Sequence, residues 1–285
     1  MKVTFAGLGV MGFPMAGHLA KAGHDMSVFN RSPDKAARWV ATHGGRAGKT
    51  VAEAAAGAEI LFLCVGNDDD VRQVVAEALP AMAPGGVVVD HTTTSAVVAR
   101  DMAELAAKDG RAFVDAPVSG GQAGAENGQL TVMCGGTPEA FATVEPVIAA
   151  FAKATRLMGG AGAGQLTKMV NQICIAGVVQ GLAEGLHFAK RAGLDPQAVY
   201  EAISKGAAQS WQMDNRWKTM GEGTFDFGFA VDWMRKDLGL VLDEAGRNGA
   251  ALDMTRMVDG FYEEVQGLGG RRWDTSSLVA RLEKP

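Results

Sequence analysis

Lys2-Val-Thr-Phe-Ala-Gly7-Leu8-Gly9-Val10-Met11-Gly12-Phe-Pro-Met15-Ala opens the chain, and its reading decides the fold class. Val3–Ala6 reads as a strand, and Phe13–Ala22 has helical spacing. Gly7-x-Gly9-x-x-Gly12 lies between them. In a strand–turn–helix, Gly7 permits the tight turn. Gly9 lets backbone approach a pyrophosphate, and Gly12 allows the helix to pack closely on the strand. The helix N-terminus then faces the phosphate charge. Glycine-rich turns are common, so the spacing alone says little. Its place, after a strand and before a helix at the start of an α/β region, points to a dinucleotide.

The pattern continues outward from that turn. Met26–Phe29, Ile60–Val65, Val87–Asp90, Ala112–Asp115, Gln129–Cys134 and Thr155–Met158 read as strands. Pro33–Thr42 and Val71–Met82 show helical spacing between them. Alternating strand and helix implies a parallel sheet with right-handed crossovers. Asn67-Asp68-Asp69-Asp70 reads as a helix N-terminus, where acidic groups cap free N–H groups and favour the dipole, and not as a metal site. Gly159-Gly-Ala-Gly162-Ala-Gly164 is the strongest glycine break. The expected domains are a dinucleotide-binding domain over 1–163 and a helical domain over 164–285. The second begins with a long connecting helix over 164–192 and carries no strand signal. The fold class expected is α/β: a Rossmann-type doubly wound N-terminal domain, a long joining helix and an all-α C-terminal domain.

Composition narrows the partners. The chain has 285 residues, 47% hydrophobic and 21% charged, with a net charge of −5. That balance favours neither nucleic acid nor an anionic membrane surface. No apolar run is expected to be long enough to span a bilayer. The N-terminus passes directly into a strand, without the cationic-then-apolar pattern of a leader. Cys64, Cys134 and Cys174 are odd in number and sit among apolar residues. They read as reduced core thiols of a cytoplasmic protein and not as a disulfide or metal framework.

Three further segments carry chemistry. The second strand ends in Asn30-Arg31-Ser32. A site for NAD usually has an acidic residue there, to bond the ribose 2′-OH. Here the position is neutral and is followed by a guanidinium and a hydroxyl, which suit a 2′-phosphate. The expectation is NADP, with NAD the less expected cofactor; the bland alternative is that Arg31 only lies on the surface. Asp115-Ala-Pro-Val-Ser119-Gly120-Gly121 follows a strand. Its serine hydroxyl and glycine N–H groups can converge on a carboxylate, as an ordinary glycine turn need not. Lys168 lies in Gly162-x-Gly164-x-x-x-Lys168-x-x-Asn171-Gln172, on the long helix. A helical lysine is usually solvated. This one is surrounded by Met169, Val170, Ile173 and Ile175, and among apolar groups a lysine can transfer a proton. The histidines, His18, His24, His43, His91 and His187, lack metal-ligand spacing and read as structural, with His91 beside Asp90 a minor alternative acid–base. Trp211, Met213, Trp217, Phe229, Trp233 and Met234 read either as an apolar pocket or, more simply, as helical-domain core.

These segments together resemble the β-hydroxyacid dehydrogenase family, over essentially the whole chain. The resemblance rests on four blocks in order. They are Gly7-Leu-Gly-Val-Met-Gly-Phe-Pro-Met15-Ala, then Asp115-Ala-Pro-Val-Ser-Gly-Gly-Gln-Ala-Gly-Ala-Glu-Asn-Gly-Gln-Leu with Met133-Cys-Gly-Gly136, then Gly162-x-Gly-x-x-x-Lys168-x-x-Asn-Gln, and Lys236-Asp237-Leu238. It implies hydride transfer between a nicotinamide and a small β-hydroxy (or γ-hydroxy) carboxylate such as 3-hydroxyisobutyrate. Lys168 is implied as general acid/base. Ser119, Gly120 and Gly121 are implied to hold the carboxylate, and Asn171 or Gln172 to bond the substrate. Gly7, Leu8, Gly9, Val10, Met11, Gly12, Asn30, Arg31, Ser32, Val65, Thr93, Phe229 and Lys236 form the implied cofactor set. The resemblance also implies a homodimer or homotetramer. His18, Thr92-Thr93-Thr94 and Gln172 depart from the commoner residues of the blocks. Rival readings are a non-catalytic dinucleotide-binding module, which would be expected to lose the lysine, a 6-phosphogluconate-type enzyme, which needs a larger helical domain, and an imine-type reductase, which usually replaces the lysine.

Overall fold

The structure, a computed structural model, describes residues 1–283. It divides into two compact units, Met1–Lys168 and the residues from Met169 onward. In chain order the first unit holds β1 (Lys2–Ala6), α1 (Gly12–Lys21), β2 (Asp25–Phe29), α2 (Pro33–His43), β3 (Arg46–Ala47), α3 (Val51–Ala54), β4 (Ile60–Leu63), α4 (Asp68–Ala78), β5 (Val87–Asp90) and α5 (Ala96–Lys108). There follow β6 (Ala112–Asp115), β7 (Val118–Ser119), α6 (Gly121–Glu126), β8 (Leu130–Gly135), α7 (Pro138–Ile148) and β9 (Ala152–Gly159).

The sheet order is β3-β2-β1-β4-β5-β6-β8-β7, with β9 also paired to β8. The chain runs outward from β1 to one side, returns, and builds the other side from β4. The order therefore reverses at β1/β4, where such sheets form a crevice beyond the strand ends. Strand side chains alternate between two cores with period two. Val3, Phe5, Ile60, Phe62, Val87 and Val89 enter one core with Met15, Leu19, Trp39, Val144 and Ile148 from α1, α2 and α7. Ala6, Leu61, Leu63 and Val88 enter the other with Val71, Val75, Val98 and Met102 from α4 and α5. Buried on both faces, these strands are mostly apolar, as a doubly covered parallel sheet requires, with Thr4 and Asp90 the buried polar exceptions.

Helix starts follow local chemistry. Thr50, Asn67, Ser95 and Thr137 each accept a backbone N–H at the N-terminus of α3, α4, α5 and α7. Asn67 thus explains the run of aspartates that follows it: they fill the first turn of α4. The sheet is not wholly parallel, however. β6 and β7 both pair antiparallel with β8. Strand–helix alternation predicts parallel pairing only where a helix crosses over. From β6 the chain passes to β7 through Ala116 and Pro117 alone, with no crossover helix, and β8 returns alongside both.

α8 (Ala163–Arg191) is one helix of 29 residues. The division between units falls inside it, between Lys168 and Met169, and not at 163/164. Its first turn belongs with the sheet because the Asp115 carboxylate holds it there. By length and composition α8 could cross a bilayer, contrary to the expectation that no run was long enough. That expectation overlooked how few charges the helix carries. Its polar residues Gln165, Lys168, Gln172 and Gln180 are buried within the protein, while Val170, Val178 and Phe188 are exposed.

The second unit adds α9 (Pro196–Ile203), α10 (Trp211–Glu222), α11 (Val231–Asn248) and α12 (Asp253–Gly267). Ala176, Val179, Ala183 and Leu186 of α8 pack with Met213, Trp217, Val231, Met234, Leu238, Val258 and Tyr262. Of the residues that could have lined a pocket, Met213, Trp217 and Met234 are core, Phe229 is half-buried against it, and Trp211 and Trp233 are exposed. Cys174 is also exposed and Cys64 half-buried, so only Cys134 is a core thiol. The neighbours of Cys174 in sequence are apolar, but on a helix they point elsewhere.

Candidate active site

The turn after β1 shows which glycines the protein itself needs. Gly7 has φ +94°, and a Cβ there would run into the Cys64 carbonyl. A Cβ on Gly12 would run into the Gly7 carbonyl and the Phe5 ring. Gly9 has nothing within 4 Å of its would-be Cβ and no positive φ. Packing does not demand a glycine at 9, and the open space there leaves its backbone accessible to a ligand. α1 has no side-chain cap at Met11 and no acidic residue in its first turn, unlike α4. These features fit a dinucleotide pyrophosphate.

The other cofactor candidates of this unit sit beyond the same strand ends. Asn30 turns its side chain inward: Leu8 N–H donates to its Oδ1 at 2.8 Å, and its Nδ2 donates to the Ser32 carbonyl at 3.1 Å. It braces the glycine turn. Arg31 is 80% exposed and pairs with Asp70, whose other oxygen accepts the Gly66 N–H at 3.2 Å. Ser32 precedes Pro33 at the start of α2 without capping it. Val65 N–H donates to Thr92 Oγ1 at 3.0 Å, which ties the loop after β4 to the loop after β5.

In that second loop Asp90, His91, Thr92, Thr94 and Ser95 are buried, and only Thr93 is partly open. Thr92 N–H donates to Asp90 Oδ1 at 2.8 Å. Burial pushes the Asp90 carboxyl up to about 7, with the Asp115 and Asp68 charges adding to it against the hydrogen bonds from Thr92. His91 hydrogen-bonds through Nδ1 to the Ala116 carbonyl at 2.6 Å and packs against Phe62 and Phe151. Burial pushes it down to about 4. The residue is 2% exposed, which favours the structural reading of His91 over the minor acid–base alternative.

Ser119 is half-buried on β7, opposite Thr131. Gly120 and Gly121 have φ +132° and +60° and start α6. A Cβ on Gly121 would meet nothing. Asp115, at the end of β6, reaches α8 instead. Its Oδ1 accepts Gly162 N–H at 2.7 Å, and its Oδ2 accepts Gln165 N–H at 2.9 Å. It caps the helix from a distant strand. Burial pushes this carboxyl up to about 6 against those amides. Gly164 lets α8 approach closely, since a Cβ there would strike the Met133 and Asp115 carbonyls. Lys168 follows on the next turn and is 7% exposed.

The second unit carries its own linked group. Asn171 Nδ2 donates to Gln172 Oε1 at 2.8 Å, and Gln172 Nε2 donates to Asp237 Oδ2 at 2.6 Å. Lys236 Nζ lies 3.1 Å from Asp237 Oδ1. Gln172 is therefore bonded at both ends of its amide, and Asn171 is the less buried of the two. The carbonyl of half-buried Phe229 accepts the Thr275 N–H at 3.1 Å. Sequence reasoning passed over Gln165 and Asp237. Gln165 stands three residues before Lys168, and a polar residue at that spacing on an apolar helix was the available signal.

Residues 2–175 match the family model described as the NAD binding domain of 6-phosphogluconate dehydrogenase. Residues 162–282 match the one described as NAD-binding of NADP-dependent 3-hydroxyisobutyrate dehydrogenase. The chain belongs to the β-hydroxyacid dehydrogenase family. Like other β-hydroxyacid dehydrogenases, it is an oxidoreductase acting on CH–OH groups with a nicotinamide dinucleotide. It is 64% identical over 286 residues to an oxidoreductase of Shewanella frigidimarina (strain NCIMB 400), covering 99% of this chain and 98% of that one. It is 37% identical to the probable 3-hydroxyisobutyrate dehydrogenase-like 1, mitochondrial, of Arabidopsis thaliana, covering 99% of this chain and 85% of that one. Among solved structures it resembles the Mycobacterium tuberculosis 3-hydroxyisobutyrate dehydrogenase with L-serine, with a TM-score of 0.91, 30% identity and 99% of each chain covered. One departure from the family's commoner blocks has a structural reason. His18 Nε2 lies 3.0 Å from the Ala125 carbonyl and 3.1 Å from that of Glu126, joining α1 to α6.

Proposed function

We propose that this chain is an NADP-preferring dehydrogenase or semialdehyde reductase for a small β-hydroxy (or γ-hydroxy) carboxylate such as 3-hydroxyisobutyrate, with Lys168 as its general acid/base. The observation that carries the reading is the burial of Lys168 on the second turn of a helix capped by Asp115 beyond the sheet's strand ends. When bound, the nicotinamide supplies or accepts the hydride. Lys168 gives its proton to the carbonyl oxygen in reduction and takes it back in oxidation, its ammonium stabilising the developing alkoxide. Ser119 and the N–H groups of Gly120 and Gly121 hold the substrate carboxylate. Asn171 and Gln172 belong to the substrate set. Thr93, Val65, Phe229 and Lys236 belong to the cofactor set. The names of the Arabidopsis and Mycobacterium relatives support a small hydroxy acid. Neutral Asn30 followed by Arg31 supports the 2′-phosphate.

The test is oxidation of NADPH and NADH by the purified protein with glyoxylate, succinic semialdehyde, methylmalonate semialdehyde and tartronate semialdehyde, and the reverse reaction with 3-hydroxyisobutyrate. NADPH-dependent turnover of one of these is expected. Lys168→Ala is expected to lower kcat by about 10²–10⁴-fold with dinucleotide binding kept. Near-normal turnover in that variant sinks the acid/base assignment. The reading extends to a homodimer or homotetramer acting in the cytoplasm. Exposed Val170, Val178 and Phe188 on α8 support burial of that face in an assembly.

A further inference from the structure

Gln165 is fully buried on the first turn of α8. Its Oε1 accepts the Thr94 N–H at 3.0 Å, and its Nε2 donates to the Thr92 carbonyl at 2.7 Å. Its own backbone N–H is held by Asp115. One side chain thus grips backbone on either side of Thr93, the only partly open residue between Asp90 and Ser95. Residues three apart share a helix face, so Gln165 and Lys168 stand one above the other. We infer that Gln165 is a positioning residue for the reaction: it sets the spacing between the Lys168 turn of α8 and the Thr92–Thr94 loop, and so between the proton donor and the loop that borders the nicotinamide. This rests on the proposed roles of Lys168 and Thr93.

The geometry favours Gln165 for a physical reason. A buried amide that satisfies one donor and one acceptor fixes two atoms of a loop at once, and the cost of leaving those atoms unpaired resists any slippage. Glutamate at this position has a charge-dependent fit. Ionised, it still accepts from Thr94 but faces the Thr92 carbonyl with a second oxygen. Protonated, it restores the donor. Methionine matches the length of glutamine and restores neither bond.

The experiment uses Gln165→Met and Gln165→Glu in the full chain, beside Lys168→Ala. Without cofactor, hydrogen exchange at the Thr94 amide is expected to speed by at least about tenfold in Gln165→Met. With cofactor, kcat is expected to fall by about 10²-fold, the loss that a misplacement of about 1 Å brings, while dinucleotide affinity stays within about threefold. In Gln165→Glu, kcat relative to the parent is expected to rise as pH falls, and that profile decides the matter if the methionine variant does not fold. A folded Gln165→Met with parental kcat, or a Gln165→Glu ratio flat with pH, overturns the inference. Should Lys168→Ala stay active, the acid/base reading fails. Gln165 is then judged by the isotope effect from 4-deuterated cofactor: an increase in Gln165→Met sustains its placing of the loop, and no change ends it.

Discussion

Asp90 and His91 are neighbours whose proton affinities burial pushes towards neutrality from opposite directions. Asp90 holds its proton in the folded state up to about pH 7 but in the unfolded chain only to its ordinary 3.8. The stability it contributes is therefore present below about pH 4 and lost as pH rises through about 7. His91 works the other way. Its folded value of about 4 lies below 6.5, so its contribution is present above pH 6.5 and lost as pH falls towards 4. Asp90→Asn keeps an acceptor for the Thr92 N–H and removes the buried acid. Relative to the parent, the variant is expected to gain stability as pH rises from about 4 to about 7 and to level off above that, measured by thermal unfolding. A difference constant across that range contradicts the assignment. Arg31 presents a second residue-scale choice. Its ion pair with Asp70 is exposed, and such pairs contribute less than about 1 kcal/mol, so a phosphate can take the guanidinium over. On the proposed reading, Arg31→Asp weakens NADPH binding by about 10²-fold or more, as two units of charge reverse, and NADH binding little. Equal loss of both removes Arg31 from the 2′-phosphate site.

At the scale of the element, the glycine turn separates folding from binding. Gly12→Ala must push a Cβ into the backbone of Gly7 and is expected to cost about 3 kcal/mol or more in denaturant unfolding. Gly9→Ala meets open space and an ordinary φ, so its stability is expected to change by less than about 1 kcal/mol. Its dinucleotide affinity should still fall by at least about tenfold, measured by titration calorimetry, because a methyl group then stands where the pyrophosphate approaches. Unchanged affinity in Gly9→Ala means the turn is only structural. α8 shows the same division along one helix. Gly162 (φ +90°) and Gly164 seat its first turn against the sheet, and Asp115 caps it. From Ala176 to Leu186 its buried residues build the helical core. An apolar sequence with a few amides can serve both because the helix period sends each residue type to its own side.

For the whole molecule, the proposed assembly predicts a solution mass by light scattering of two or four times that of one chain; a monomer at working concentration rejects it. The fold class was legible in the sequence. Period-two burial needs apolar strands, crossovers need helices between them, and the opening turn needs glycine, and each leaves its mark within a few residues. The exception was β6–β8, where a short connection turned the chain back and made antiparallel pairs that alternation does not announce. The site was legible in part. Gly7, Gly9 and Gly12, Asn30, Ser119 and Lys168 lie in short motifs whose chemistry is local. Asp115 as the cap of α8, Gln165 as the clamp on Thr92 and Thr94, Asp237 as the partner of Gln172, and Asp70 as the partner of Arg31 join segments 47, 71, 65 and 39 residues apart. The sequence by itself determined the longer strands and helices, the nucleotide turn and the lysine on an apolar helix, because these follow from local sterics and hydrophobic period; the short β3, α3, β7 and α6 left no such mark. Only the tertiary structure decided which carboxylates and amides hold that lysine's helix in place, because hydrogen bonds between distant segments exist only once packing has brought their ends together.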